Sequence, residues 1–163
     1  NLPASDKMMH PRYRDLLASD IPGVDLGPGA HAKVICGSIA GVQGSVQDIV
    51  TDPLYLDVSL EPDRKLDLEI SAEHNAFVYL FRGSMTLGPG AGKPIRLEHL
   101  AVLSGTGRIH GQADADGARL VLVAGRPIGE PVAWGGPIVM NTHEELQQAF
   151  REYESGSFLR HAS

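Results

Sequence analysis

The sequence predicts an all-β protein, an antiparallel β-sandwich or barrel followed by one carboxy-terminal α-helix. Between residues 32 and 124, short apolar or alternating runs are separated by turn residues, which is the pattern of antiparallel strands joined by tight connections. Prolines and glycines then punctuate residues 125–137, and an amphipathic segment with a helix start signal follows. With 163 residues, 42% of them apolar, the chain can bury one core of its own.

Residues 1–31 precede this pattern and are rich in proline, glycine and charge. Turn sequences occur at residues 21–23 and 27–29, and only residues 13–17 have a composition that favours a brief helical turn. We therefore expect an arm that leads into the folded domain.

The clearest strand pattern lies at residues 66–70. Leu66, Leu68 and Ile70 alternate with acidic residues, so one face of this strand should be buried and the other should face water. Gly83 predicts a tight bend between two strands, and residues 88–92 predict a hairpin loop. The other predicted strands cover residues 33–40, 56–60, 76–82, 84–87, 95–103 and 119–124.

The predicted helix covers residues 142–154. Thr142 and Glu145 form a capping box, in which each side chain can hydrogen-bond to the backbone N–H of the other residue. The residues that share the apolar face of this helix are Leu146, Ala149, Phe150 and Tyr153. This face should lie against the sheet or against a neighbouring domain.

Composition restricts the function of the chain. The net charge of -6 and the pI near 5.6 argue against a nucleic-acid surface, which usually concentrates positive charge on one face. No stretch reaches the roughly 20 apolar residues that cross a bilayer. Cys36 is the single cysteine, and its apolar neighbours predict a buried, inert thiol. A cytoplasmic protein that contacts neither nucleic acid nor membrane is the expectation.

Two segments carry a resemblance to a known family. Residues 125–132 read GRPIGEPV and residues 134–142 read WGGPIVMNT, and together they resemble the carboxy-terminal end of pirin-like proteins, which are two-domain cupins. Residues 1–9 and 11–13 resemble the segment that joins the two halves of such proteins. The motif residues to which we assign a structural role are Arg126, Pro127, Gly129, Glu130, Pro131, Gly136, Pro137, Met140 and Asn141.

The resemblance implies a cupin-type fold, the double-stranded β-helix. It also implies an interdomain linker over residues 1–31 and a carboxy-terminal cupin domain over residues 32–163, with the helix included. Asn1 is not an initiator methionine, so we expect this half to have been cut from a longer protein.

The resemblance further indicates where metal ligands would stand. A metal-bearing cupin strand has two histidines separated by one residue, then a carboxylate and a turn glycine, with a third histidine on a later strand. Counting back from Gly83 puts the histidine positions at Ile70 and Ala72 and the carboxylate position at Ala76. None of these residues is a ligand, and we expect Ile70 and Ala72 to point inward and fill the barrel. In pirin-like proteins the amino-terminal cupin holds the iron, so no cofactor is expected in this chain.

Histidines elsewhere provide a weaker alternative. A metal site in this chain would have to use His74, His99 and His110. The first two stand beside Glu73 and Glu98, and adjacent residues of a strand point to opposite faces, so these carboxylates do not complete one site. The histidines interpreted as loop, helix-start and tail residues are His31, His143 and His161.

The motif segment offers two interpretations for its charged residues. Arg126 and Glu130 either form a functional ion pair or, as we favour, fix the entry of the chain into the helix. Trp134 should anchor the same loop in apolar surroundings. No catalytic residue is predicted, since Ser38 stands one place too early for a nucleophile elbow.

Three functions follow. In the first, this chain is the metal-free half of a pirin-like protein and its partner is the amino-terminal cupin of the same protein, with residues 1–17 and the final helix at the interface. The resemblance then implies iron in that other half, with quercetin 2,3-dioxygenase activity in bacterial relatives and transcriptional coregulation in eukaryotic ones. As an isolated fragment, such a half could pair with a second copy through the surface its partner would cover.

The two alternatives belong to other classes of protein. The second function is a stand-alone metalloenzyme with an atypical site. The third is a protein-interaction module that binds a partner through an exposed sheet or through the face formed by Leu146, Phe150 and Tyr153.

Overall fold

The computed structural model describes residues 1–104 and 107–159 and has the antiparallel, mostly β architecture that the sequence predicts. The strands are β1 Gly23–Gly27, β2 Ala30–Cys36, β3 Ser38–Ile39, β4 Val42–Gln43, β5 Leu54–Leu60, β6 Lys65–Glu69, β7 Asn75–Leu87, β8 Lys93–Ile95, β9 His99–Leu103, β10 Arg108–Gly125, β11 Ala133–Gly135 and β12 Ile138–Met140. The helix is α1 His143–Glu154, and two 3-10 turns lie at Ala4–Asp6 and Ala18–Asp20.

One eight-stranded antiparallel sheet dominates the structure. Its order is β1-β2-β5-β10-β7-β8, with β6 paired to β10 and β9 paired to β7. The 18-residue strand β10 connects these parts because it pairs with β5, β6 and β7 along its length. The small strands form two further hairpins, β3-β4 and β11-β12.

The chain divides into two compact units. One, which we call the sheet unit, contains residues 16–127, and the other, the tail unit, combines residues 1–15 with the chain from Ile128 onward. The predicted division at residues 31 and 32 stays a prediction, although β1 lies within the expected arm and pairs with β2. The helical turn expected at residues 13–17 is wrong, since these residues have no regular secondary structure and the two 3-10 turns flank them.

The core of the sheet unit lies on the inner faces of its strands. Leu56, Val58, Leu80, Leu120 and Leu122 are fully buried there. Each such side chain contributes about 1.5–3 kcal/mol to stability when it leaves water. The large sheet therefore encloses a hydrocarbon interior.

The β6 strand confirms the simplest sequence pattern. Leu66 and Leu68 are buried, whereas Lys65, Asp67 and Glu69 are exposed. An antiparallel strand with one wet face has this alternation. The strand ends at Glu69, one residue earlier than predicted.

Gly83 behaves differently from its prediction. The expected bend between two strands is wrong, because β7 runs continuously from Asn75 to Leu87 through a residue with φ of 76°. A Cβ at residue 83 would meet the carbonyl oxygen of Gly117 in β10, where the register of the two strands shifts. Glycine permits this close backbone approach within a β-bulge.

Other strand boundaries also differ from prediction. Residues 33–40 are divided at Gly37, whose φ is 81°, and residues 95–103 are divided by a turn in which Glu98 has φ of 62°. The hairpin loop predicted at residues 88–92 is confirmed by the pairing of Leu87 with Lys93. The sequence did not reveal the first half of β10 or the β11-β12 hairpin.

The tail unit has a small core of its own. Ala133 and Ile138 of the β11-β12 hairpin pack with Leu146 and Ala149 of α1. The capping box is confirmed, since Thr142 Oγ1 accepts from the Glu145 N–H at 3.2 Å and Glu145 Oε2 accepts from the Thr142 N–H at 3.0 Å. Among the described residues, no helix is both long and apolar enough to cross a bilayer.

We expect Gly83→Ala to destabilise the protein more than Gly90→Ala. Both glycines have positive φ, 76° and 66°, so alanine is strained at either position by about 1–2 kcal/mol. Only at residue 83 would the new Cβ also meet backbone, so a further loss of about 1–3 kcal/mol in the free energy of unfolding should follow. Urea denaturation measures both losses, and equal values would contradict the close approach at Gly83.

Candidate functional site

The three positions that the sequence analysis assigns to cupin metal ligands lie at the start of the β6-β7 connection and in β7. Ile70 directly follows β6 and packs, partly buried, against the core, while Ala76 is buried in β7. Ala72 is exposed in a turn, so the expectation that it points inward is wrong. The chain leaves the sheet after Glu69, and the backbone N–H of His74 donates to the Ser71 carbonyl at 3.1 Å to close the turn.

The interior offers no donor set for iron. Within residues 1–104 and 107–159, no polar or charged residue is fully buried, and the inner faces carry leucine, valine, alanine and Met85. Iron(II) in such a fold needs inward-facing imidazoles and a carboxylate. The residues present here do not fit that ion.

The three candidate histidines lie on separate elements with separate partners. The His74 imidazole, 8% exposed, lies in the turn before β7 with its Nε2 3.4 Å from Asp52 Oδ2. His99 begins β9, and its Nδ1 lies 2.9 Å from the Leu97 carbonyl oxygen. His110 lies in β10. Over the part of the chain that the structure describes, no three His, Cys, Asp or Glu side chains are grouped to hold a metal.

His110 belongs to a polar ladder outside the core. Its Nδ1 lies 3.4 Å from Oδ1 of Asp67, the residue opposite it in β6, and its side chain is 43% exposed. Arg108 donates to both carboxylate oxygens of Asp67, at 2.7 and 2.9 Å. This bidentate hydrogen bond lowers the pKa of Asp67 and raises the pKa of Arg108. His110 is thus a surface neighbour of an ion pair.

Arg126 and Glu130 find different partners. Arg126 Nη2 lies 3.1 Å from Glu73 Oε2, and both side chains are exposed. Glu130 Oε2 accepts from the Ala4 N–H at 2.7 Å and from Asn141 Nδ2 at 2.8 Å. The hypothesis of an Arg126–Glu130 ion pair is therefore wrong. Glu130 instead holds the first residues of the chain and the residue that precedes the helix cap.

Asn141 completes this arrangement at the entry to α1. Its Nδ2 also donates to the Pro131 carbonyl at 3.1 Å, and its backbone N–H donates to Glu145 Oε2 at 3.0 Å. Its buried Oδ1 has no hydrogen-bond partner among the described residues. Two motif residues, Glu130 and Asn141, thus organise the backbone ahead of the helix. Sequence spacing could not reveal this, because Ala4 is 126 residues away from Glu130.

Trp134 is not surrounded by apolar residues. It is 75% exposed, and its Nε1 donates to the Gly136 carbonyl at 2.8 Å. It lies opposite Val139 in the β11-β12 hairpin. Gly136, with φ of 52°, and Pro137 form the turn of this hairpin. The prediction that Trp134 anchors the loop in apolar surroundings is wrong, because the side chain is largely exposed.

The apolar face of α1 is narrower than its spacing predicts. Leu146 and Ala149 are buried and Phe150 is partly buried against the tail-unit core, whereas Tyr153 is 67% exposed. A Cβ on Gly135 would already lie 3.1 Å from the Phe150 ring. The face proposed for a protein partner is therefore already covered by the hairpin, apart from Tyr153.

Cys36 is buried at the end of β2, as predicted. It lines a cavity of about 170 Å³ together with Asp48 and Asp52. Burial raises the pKa of its thiol, with the Asp52 charge acting in the same direction. The thiol is therefore protonated at neutral pH.

Comparison with known proteins identifies relatives of this chain. The family model of the pirin C-terminal cupin domain matches residues 55–159. Human pirin is 35% identical over 95% of this chain and 53% of its own length, and a pirin-like protein of Caulobacter vibrioides is 34% identical over 97% and 56%. The chain thus spans about half the length of the curated relatives it matches.

A solved structure shares both sequence and fold with this chain. Quercetin 2,3-dioxygenase from Acinetobacter baumannii superposes with a TM-score of 0.87 at 27% identity. The match covers 97% of this chain and 54% of that one. The described fold is therefore similar to about half of that solved protein.

We expect the Asp67 carboxyl to titrate below its ordinary range only while Arg108 is present. Its folded pKa lies below the unfolded value, so its contribution to stability is present at neutral pH and is lost as the pH falls through the folded pKa. Arg108→Met should bring the pKa of Asp67 back toward that of an ordinary aspartate, as measured by carboxyl-carbon NMR titration. His110→Ala serves as the control and should change it less, because the Arg108 hydrogen bond is the larger cause. The reverse order would contradict the described ladder.

Glu130→Ala should cost more stability than Glu73→Ala. The first change leaves the Ala4 N–H without its acceptor and removes one of the two acceptors of Asn141 Nδ2, which should lower the free energy of unfolding by about 1–2 kcal/mol. The second removes an exposed ion pair and should change it by less than about 0.5 kcal/mol. Fluorescence of Trp134, the single tryptophan, reports the tail unit in urea. Equal losses would show that Glu130 has no special role there.

Proposed function

The chain belongs to the pirin family, and from that premise we propose that it is the carboxy-terminal half of a two-cupin protein and holds no metal itself. The proposal is carried by the composition of the interior. Hydrocarbon side chains line the inner faces of the described strands, where Ala76 is buried and Ile70 packs against the core. A cupin with this interior cannot supply the imidazole and carboxylate donors that iron(II) requires.

The chemistry of the whole protein then belongs to the other half. Because a related structure carries the name quercetin 2,3-dioxygenase, we propose that the parent acts on a flavonol of the quercetin type with dioxygen. Iron bound by the amino-terminal cupin would supply the redox chemistry. The present half contributes no reacting group, and its apolar core serves as a rigid support for its neighbour.

The surfaces of the first segment and of the last helix fit the role of a partner-binding region. Tyr13 and Leu17 are 91% and 67% exposed on a segment without regular secondary structure, and Tyr153 is 67% exposed on α1. Large apolar side chains at such exposure are stabilised when another surface covers them. We propose that residues 1–17 and α1 contact the amino-terminal cupin.

Metal analysis tests the proposal directly. The 163-residue chain, produced in iron-supplemented medium and dialysed, should contain far less than one iron per chain by elemental analysis. The two-cupin protein that carries this chain, produced in the same way, is the positive control and should contain one iron.

Histidine variants identify the source of any metal that is found. His74→Ala, His99→Ala and His110→Ala should leave the metal content of the 163-residue chain unchanged, since each imidazole has its own local partner. Stoichiometric iron that disappears in one of these variants would overturn the proposal in favour of a stand-alone metalloprotein.

A further inference from the structure

The outer side of the large sheet is apolar where an ordinary antiparallel sheet is polar. We call the outer apolar face the surface formed by Phe77 and Tyr79 of β7, Leu100 and Val102 of β9, and Val121 and Val123 of β10. An antiparallel sheet with one face in water shows polar residues on that face, whereas strands buried on both sides are apolar on both. The neighbouring inward residues of these strands are also apolar.

Strand register makes the face continuous. Phe77 pairs with both Val102 and Val123, and Tyr79 pairs with both Leu100 and Val121, so two cross-strand rows run over β9, β7 and β10. Tyr55 of β5 extends the first row because it pairs with Val123. Side chains of directly opposite residues lie close enough to form one patch.

Exposure is greatest at the edge strand. Val102 is 78% exposed and Leu100 is 55% exposed, while Tyr79 is 37% exposed. Single exposed apolar residues are common on protein surfaces, but a contiguous apolar patch usually marks an interaction site. An exposed edge next to such a patch would also be prone to non-specific association.

The same strand provides an internal comparison. In the first half of β10, the outward residues Arg108, His110 and Gln112 are polar and lie opposite charged residues of β6. In its second half, Val121 and Val123 occupy the outward positions. The polar half is suited to water and the apolar half to a covering surface, so the pattern is local to one part of the sheet.

A charged rim borders the outer apolar face. Arg119 donates to both carboxylate oxygens of Asp57, at 3.0 and 2.6 Å, and its guanidinium lies 5.2 Å from the centroid of the Phe81 ring. The two charges of this pair satisfy each other, so covering the adjacent patch leaves neither of them unpaired. An apolar centre with a polar rim is the usual anatomy of a protein interface.

We propose that the outer apolar face is the surface on which the amino-terminal cupin domain of the two-cupin protein docks, sheet against sheet. This inference rests on the proposed function and adds the part of the sheet unit that contacts the partner. Four neighbouring strands make a face about 15 Å wide, which suits the face of another sheet. The chain spans about half the length of its relatives, so a second domain of similar size is available to cover it.

Cysteine labelling tests the proposal. Cys36 is the single native cysteine and is buried, so a thiol introduced by Val102→Cys reports that position alone. The matched control is Gln112→Cys, an exposed outward position in the polar half of β10. Both variants are made in the 163-residue chain and in the two-cupin protein, and the rate of maleimide modification is measured in each.

We expect the thiol at residue 102 to be protected from maleimide in the two-cupin protein and to react freely in the 163-residue chain. Its modification should slow by about tenfold or more relative to the 163-residue chain, since a covered thiol reacts only through local opening. The thiol at residue 112 should react at similar rates in both proteins. Equal fast rates at residue 102 would overturn the proposal and leave the face to an external partner.

Two other outcomes are informative. Slow modification at residue 102 already in the 163-residue chain, together with a doubled mass by light scattering, would assign the face to a second copy and overturn the proposal. Iron in the 163-residue chain would overturn the proposed function without altering the labelling result. The metal analysis and the labelling rates therefore distinguish failure of one proposal from failure of the other.

Discussion

The contact on which the rest of the sheet depends is the approach of two backbones at Gly83 and Gly117. Both residues have positive φ, and side chains at either position would meet backbone of a neighbouring strand. Across this bulge the inward residues of β7 change from even-numbered to odd-numbered positions, from Leu80 to Met85. In β10 they change from odd-numbered to even-numbered positions, from Ala113 to Ala118. The bulge thus lets two long strands bend while both keep an apolar inner face.

This geometry determines what each side of the sheet can do. The inner faces of the described strands converge on a hydrocarbon core, and no polar or charged side chain of the described residues is fully buried there. In the part of β7 before the bulge and the part of β10 after it, most of the outward residues are apolar as well. The strand β9 continues this apolar surface to the edge of the sheet. A domain with hydrocarbon inside and an apolar surface outside is suited to support a neighbour. The groups that perform chemistry would then belong to that neighbour.

Sequence reasoning recovered the features that depend on neighbouring residues. The β6 alternation, the capping box at Thr142 and Glu145, and the loop between β7 and β8 all follow from short-range rules, and the motif at the end of the chain identified the family. The first half of β10 was missed because its glycines, aspartates and polar outward residues resemble a loop. The sequence predicts a bend at Gly83 because it does not show that Gly117 lies against this residue.

The wrong predictions at the candidate site mostly concern residues whose partners are distant in the sequence. Nothing local to Arg126 indicates Glu73, and nothing local to His110 indicates Asp67, since these pairs form through strand register and turns. Ala72 was expected inside because the alternation of β6 was continued beyond its end at Glu69. In contrast, the proposal of a metal-free half rests on the apolar side chains that line the inner faces of the described strands, so it does not depend on those errors.

The most direct test of this central claim is anaerobic calorimetric titration of the purified, chelator-treated 163-residue chain with iron(II). A hydrocarbon interior predicts no saturable heat of binding, and the two-cupin protein treated in the same way should give a one-to-one isotherm. A one-to-one isotherm for the 163-residue chain alone would contradict the claim.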